Sequence, residues 1–304
     1  MDGILIIDKP AWLTSHDVVA RVRRILKTKR VGHTGTLDPF ATGVMVILVG
    51  KATRLAKFLD KDEKEYEAVV RFGFETDTGD RTGSPKSRIQ GQNSISVNEI
   101  HAALDQFRGE IEQTPPMYSA KKIDGKKLYE LARKGLEVER KAVRIKISKL
   151  EVYEIAKDNA AANDFGPWTL DVGLTVACSA GTYIRTLAED IGRVVGSGAH
   201  LAELRRTRAG KFELAGSVTI GELQDAEDPK SYLIRMEEAV SHIPSVVMNA
   251  DRAAKTLNGL STRILDLEFK NAEAIQMLNE DKEIIAIGLY NEEEKTVQPK
   301  IVLS

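Results

Sequence analysis

The chain has 304 residues, 42% hydrophobic and 29% charged, with a net charge of −1 and one cysteine, which is ordinary for a globular protein of one large domain plus a small one. That composition excludes a disulfide framework and a cysteine-rich zinc site, and the five histidines show no tight ligand spacing such as HExxH, so no metal is expected. No apolar run approaches the ~18 residues of a membrane span, and the N-terminus lacks a basic stretch and a long apolar core, so a cytoplasmic protein without a membrane span is expected.

In chain order, the apolar run from Ile4 to Ile7 reads as a buried strand closed by a turn at Asp8, Lys9 and Pro10. Thr14 followed by Asp17 predicts a capped helix start; Val18, Val19, Val22, Ile25 and Leu26 follow at helical spacing, with Arg21, Arg23, Arg24 and Lys27 on the opposite face. Residues 31–43 carry Gly32, Gly35, Gly43 and Pro39, and therefore read as an irregular loop. Its central carboxylate, Asp38, has the apolar neighbours Leu37 and Phe40, and a carboxylate buried there costs free energy unless something pairs with it. Read alone, the loop is better explained as a turn whose Asp caps the backbone.

A strand over Val44–Val49 and a helix over Ala52–Leu59 follow; the glycine spacing around Gly50 and Lys51 is wrong for a phosphate-binding loop, which argues against an NTPase. Alternation from Tyr66 to Phe74 predicts a half-buried strand, Thr76 to Gly83 a polar turn, and Pro85 to Ser94 a loop. Ser96 and Glu99 form a capping box for a helix through Phe107. The segment opened by Pro115 and Pro116 mixes lysines with Tyr118 and reads as a contact arm, with a short helix over Leu128–Lys134. Strands are expected at Val143–Ile147, Val152–Ile155 and Leu170–Cys178, then a helix through Val195, then a basic run over 201–211 in which Leu204 fits one side of an amphipathic helix.

Charge is unevenly placed. Residues 21–30 hold six Lys or Arg and no acid, residues 121–149 hold eleven basic against four acidic side chains, and Arg205, Arg206, Arg208 and Lys211 form a third cluster, whereas 251–304 hold seven basic and ten acidic. A near-neutral chain built this way can present one positive face to a polyanion.

Several ordered blocks carry a resemblance. They are Lys9-Pro10 with Thr14-Ser15; the stretch Gly32 to Gly43; Tyr66; Thr76 to Asp80; Cys178 to Arg185 with Asp190 and Gly192; and Leu204 to Gly210. Together they are similar to the bacterial tRNA pseudouridine-55 synthases of the TruB family, over residues 3 to about 220. Trp12 departs from the pattern, standing where the family usually has glycine.

The resemblance implies an α+β fold with a mixed or antiparallel sheet in a catalytic domain over 1–240, with a basic RNA-contacting insertion at about 115–145. A small β-rich, PUA-like domain would occupy 245–304. It implies isomerisation of the T-loop uridine at position 55 of tRNA, without a cofactor, by a monomer. Asp38 would be the catalytic carboxylate, Arg185 the cation that keeps it ionised, and Tyr66 the ring against the target base. Leu204 would pack on the flipped base, while His33 would fill the vacated stacking position. Lys9, Tyr183, Arg205 and Arg206 would contact RNA, and the glycines would let backbone approach it. Two other readings stand beside this one: a tRNA-binding folding chaperone in which catalysis is secondary, and a carboxylate-pair glycosidase needing a second acid such as Asp77 or Asp80.

Overall fold

The computed structural model describes residues 1–86, 95–119, 121–123, 125–132, 134–156, 169–264 and 269–303. Most of the loop expected over 85–94 lies outside them. The chain opens with β1 (Gly3–Lys9), α1 (Ser15–Ile25), β2 (Val31–Thr34), β3 (Thr42–Val49), a 3-10 turn continuing into α2 (Ala56–Leu59), and β4 (Lys64–Phe72). Next come α3 (Val97–Asp105), β5 (Gly109–Gln113), a ribbon of β6 (Lys122–Ile123) and β7 (Lys126–Lys127), and α4 (Leu128–Ala132). They are followed by β8 (Val143–Ala156), β9 (Leu170–Cys178), α5 (Ile184–Val195), β10 (Ala199–Ala209) and β11 (Phe212–Glu213). After α6 (Ile220–Asp225) and α7 (Met236–Ala239) the chain enters β12 (Ser245–Val247), α8 (Ala250–Leu257), β13 (Thr262–Arg263), β14 (Ala274–Leu278), β15 (Ile284–Asn291) and β16 (Thr296–Val302).

The fold is α+β. Strands pair in the order β1-β3-β10-β4-β9-β8-β5, with β2 added to β3 and β11 to β10. The pairings within this sheet are antiparallel except for β3 with β10, which run parallel through two residue pairs, Arg205 with Thr42 and Arg206 with Gly43. The sheet is therefore two antiparallel blocks joined along a short seam. Both capping boxes expected from sequence are formed: Thr14 with Asp17 starts α1, and Ser96 with Glu99 starts α3.

The apolar faces follow the period-2 and 3.6-residue patterns. Alternate residues of β4 (Tyr66, Ala68, Val70, Phe72) join β9 and helices α3 and α5 in one core. Val18, Val19 and Val22 of α1 pack with Leu5 and Ile7 in another. A third core holds Ile4, Val46 and Leu48 together with Leu278, Ile284, Ile287 and Ile301 of the second sheet. That sheet, ordered β12-β14-β15-β16-β13, thus shares buried surface with the first.

Two expectations need correction. The two strands read at 143–147 and 152–155 are one 14-residue strand. The basic run at 201–211, with Leu204 placed on a helix, is instead the strand β10 between β3 and β4. Its charge masked the pattern: Leu204 and Arg206 share one buried face, and Arg205 points to the other.

Candidate active site

Asp38 lies on the loop between β2 and β3, and the loop's conformation is fixed by buried polar bonds. Ser15 Oγ accepts from Leu37 N (3.0 Å) and donates to Leu37 O (3.2 Å). The Lys9 ammonium donates to the carbonyls of Pro10 (3.0 Å), Pro39 (3.1 Å) and Ala41 (2.5 Å). Trp12 N–H donates to Pro39 O at 2.7 Å. On either side of Asp38, Leu37 and Phe40 enter the core, as their apolar character demands.

Arg185 reaches the same point from the first turn of α5. The helix start is held by Gln113, whose side chain accepts from Tyr183 N (2.8 Å) and donates to Tyr183 O (3.0 Å). The guanidinium grips Asp38 by two edges, Nε to Oδ2 at 3.0 Å and Nη2 to Oδ1 at 3.2 Å. It also donates to the carbonyls of Thr78 (3.2 Å) and Tyr118 (2.6 Å) and lies 3.6 Å from Asp80. This planar fork fixes the carboxylate's orientation as well as its charge.

Asp38 sits deep in the cleft, yet its side chain keeps 30% exposure on the side that faces the opening. Burial pushes its carboxyl above the ordinary range; Arg185 is the strongest opposing influence, Asp80 adds to the rise, and Lys9 opposes it. Asp80 cannot serve as a second acid of a glycosidase pair, because its carboxylate already accepts from Thr78 Oγ1, Thr82 N and Thr82 Oγ1 (2.9, 2.9 and 2.5 Å) and faces Arg185. Asp77, an exposed residue of the same turn, accepts from Ser84 N (2.8 Å).

The cleft has a volume of about 830 Å³ and brings together Asp38, Tyr66, Arg185, Tyr183, Leu204 and a wall of Arg206. Burial raises the Tyr66 hydroxyl above its usual value, so the phenol stays protonated. His33, Lys9 and Arg205 do not line the cleft. His33 lies on β2 with its ring edge-on to His16 at 5.8 Å; burial, then His16 and Arg206, lowers its pKa, and its Nδ1 is buried without a partner among the described residues. Arg205 is half-exposed but ion-paired with Asp8 at 2.7 Å.

Two residues expected to contact RNA are engaged by the protein's own backbone. Lys9 is fully buried on the three carbonyls named above. Arg206 is also buried, donating to Val44 O (2.7 Å) and Gly35 O (3.0 Å). Both brace the loop that carries Asp38, and Arg206 also lines the cleft. Gly43 has a packing role: a Cβ there, at φ +101°, would stand 2.2 Å from Arg206 O, so the residue allows the close approach of β3 to β10. Sequence reasoning missed Asp80, Gln113 and Ser15 as supports. The Thr76-to-Asp80 block and the Thr14-Ser15 pair were visible; Gln113 offered no signal.

The basic face of α1 is exposed, and Arg23, Arg24, Lys27 and Lys29 border one surface hollow. No helix among the described residues is long and apolar enough to cross a membrane.

Comparison with known proteins completes the description. Residues 23–184 match the family model for the TruB family pseudouridylate synthase N-terminal domain, and residues 185–251 that for the tRNA pseudouridylate synthase B C-terminal domain. The tRNA pseudouridine synthase B of Bacillus pumilus is 45% identical over 85% of this chain and 82% of its own length. That of Aquifex aeolicus is 39% identical over 95% of both. Among solved structures, a Cbf5-Nop10-Gar1 complex superposes with a TM-score of 0.74 at 28% identity, covering 99% of this chain and 85% of that one. An H/ACA RNP bound to a substrate RNA containing 2′-deoxyuridine gives 0.71 at 27% identity, covering 99% and 85%.

Proposed function

The chain belongs to the TruB family of pseudouridylate synthases, and from that premise we propose that it isomerises uridine 55 in the T loop of tRNA with Asp38 as the reacting carboxylate. The reaction breaks the N1–C1′ bond of the uridine, turns the base, joins C5 to C1′, and moves a proton from C5 to solvent while N1 regains one. It balances without an oxidant, reductant or energy source.

The observation that carries the assignment is the two-edged pairing of Asp38 with Arg185 at the floor of a cleft sized for an extruded nucleotide. Whether the carboxylate attacks C1′ or removes the 2′ proton, it must be ionised. Burial works against that form, and Arg185 is the strongest influence favouring it. Tyr66 and Leu204 flank the cleft as an aromatic and an apolar surface for the flipped base.

His33 is the group we assign to the vacated stacking position: its ring is held neutral by burial and stands beside His16, which lines the cleft. The exposed cations of α1, with Arg205 and the partly paired arm around 115–145, hold the phosphates of the T arm. We read 1–240 as the catalytic domain, 245–304 as a PUA-like module, and the protein as a monomer in the cytoplasm, where its tRNA substrate resides.

Release of tritium from 5-tritiated uridine in tRNA tests the assignment. Asp38→Asn should lower single-turnover release by more than about a thousandfold while the RNA dissociation constant stays within a few fold. Release at the wild-type rate would remove Asp38 from the chemistry.

A further inference from the structure

Among the described residues Trp12 is the most exposed large apolar side chain, at 65%. It also has a left-handed backbone, φ +67°, where the other non-glycine residues with positive φ are lysines and one alanine. A bulky side chain in that region is strained, and burial does not compensate here.

Its position is defined on two sides. Its N–H is bonded to Pro39 O, beside Asp38, and Pro39, Thr14, Ser15 and His16 all line the cleft. From across the opening, the Arg81 guanidinium lies 5.9 Å from the indole ring, and the adjoining Thr82 lines the cleft as well. The Arg81 side chain is 48% exposed, with Glu203 only at 4.0 Å. A broad π-face with a cation beside it, at the mouth of a cleft that takes an extruded nucleotide, matches what an unpaired neighbouring nucleotide offers: a base to stack and a phosphate to pair.

We propose that Trp12 stacks on an unpaired base of the substrate RNA next to the isomerised uridine, with Arg81 on the adjoining phosphate. The proposal rests on the isomerase reading above. The Trp12 side chain is not among the groups that line the cleft, and a glycine keeps the N–H bond to Pro39 O, so the indole acts on binding and leaves the chemical step unchanged.

The test uses the full chain and a synthetic T-arm stem-loop tritiated at the target uridine. Trp12→Gly suits the backbone, so the fold is not at risk, and its melting temperature should stay close to wild type. Its dissociation constant should rise roughly tenfold, the effect of losing one base–aromatic stack. Release from saturated enzyme should stay within about twofold, and Trp12→Phe, which keeps a ring, should recover most of the affinity. Replacing the loop nucleotides one at a time by abasic residues should reveal one position at which the RNA change and Trp12→Gly are not additive. Unchanged affinity in Trp12→Gly, an equal loss in Trp12→Phe, or additivity at every loop position overturns the proposal. If the wild type releases no tritium from the stem-loop, it is the isomerase reading that fails.

Discussion

Replacing Arg185 by Gln tests the electrostatic argument most directly. The substitution removes both contacts to Asp38 and leaves its carboxylate facing Asp80, with only Lys9 as a nearby cation. A cation in contact lowers a carboxylate by ~1–3 pKa units. Because the Asp38 side chain keeps 30% exposure, solvent screens the pair and the lower half of that range applies, about 1–2 units or about 1.4–2.7 kcal/mol. The reacting form is the ionised one, so activity rises with pH through the Asp38 pKa, which burial already places above the ordinary range. The acid limb of the variant's profile should therefore move up by about 1–2 units, with a rate loss of roughly 10–100-fold below it that shrinks as pH rises. Single-turnover tritium release across pH, with RNA below saturation so that the free enzyme's titration is read, measures the limb. If the limb of the variant coincides with that of the wild type and only the plateau falls, Arg185 positions Asp38 without tuning it, and the argument is refuted.

Other outcomes follow from the same geometry. Since the folded pKa of Asp38 is raised, the unfolded chain releases this proton at lower pH than the native one, and stability declines as pH rises from the ordinary carboxylate range through the folded value. Asp38→Asn should thus melt above the wild type at neutral pH and lose that advantage in acid; a lower melting temperature at neutral pH would contradict this. Lys9, held down to about 8 mainly by burial against the opposing pull of Asp38, loses its charge and one of three donors as pH rises through that value. Wild-type activity should show an alkaline limb there, absent from a slower Lys9→Met enzyme, while the stability contribution of this lysine rises from about 8 toward the unfolded value of 10.5. Gly43→Ala meets backbone at 2.2 Å whereas Gly109→Ala, also at positive φ (+87°), meets open space. In thermal melts the second should lose about 1 kcal/mol and the first clearly more, about 3 kcal/mol or above.

Local signals in the sequence were enough for most of the frame. Alternation in β4 and β9, the capping boxes of α1 and α3, and the apolar neighbours of Asp38 each arise from contacts within a few residues. What could not be read locally is what distant segments do for one another. Lys9 and Arg206 are cations in basic or motif-rich stretches, and only the folded chain shows that they donate to backbone carbonyls 30 or more residues away, Pro39 and Ala41 for Lys9 and Val44 and Gly35 for Arg206. Arg206 misled for a second reason: a charged residue on the inward face of a central strand breaks the alternation that would have revealed β10. Asp80 was visible as a turn residue, but its place across Arg185 from Asp38 depends on the pairing of β4 with β9 and on where α5 begins.

The seam between β3 and β10 has a kinetic meaning. Asp38 and the strands up to residue 49 belong to one block, while Arg185, Tyr66 and Leu204 belong to the other, and two residue pairs connect them in the sheet. Within the first block β2 and β3 form a local hairpin, whereas the second block pairs Lys64 of β4 with Cys178 of β9 and Ala209 of β10, contacts about as distant in sequence as the 147 residues between Asp38 and Arg185. The competent cleft therefore forms together with the long-range pairing of β4, β9 and β10, and recovery of isomerase activity on refolding should run behind the local β2–β3 hairpin and keep pace with completion of the sheet.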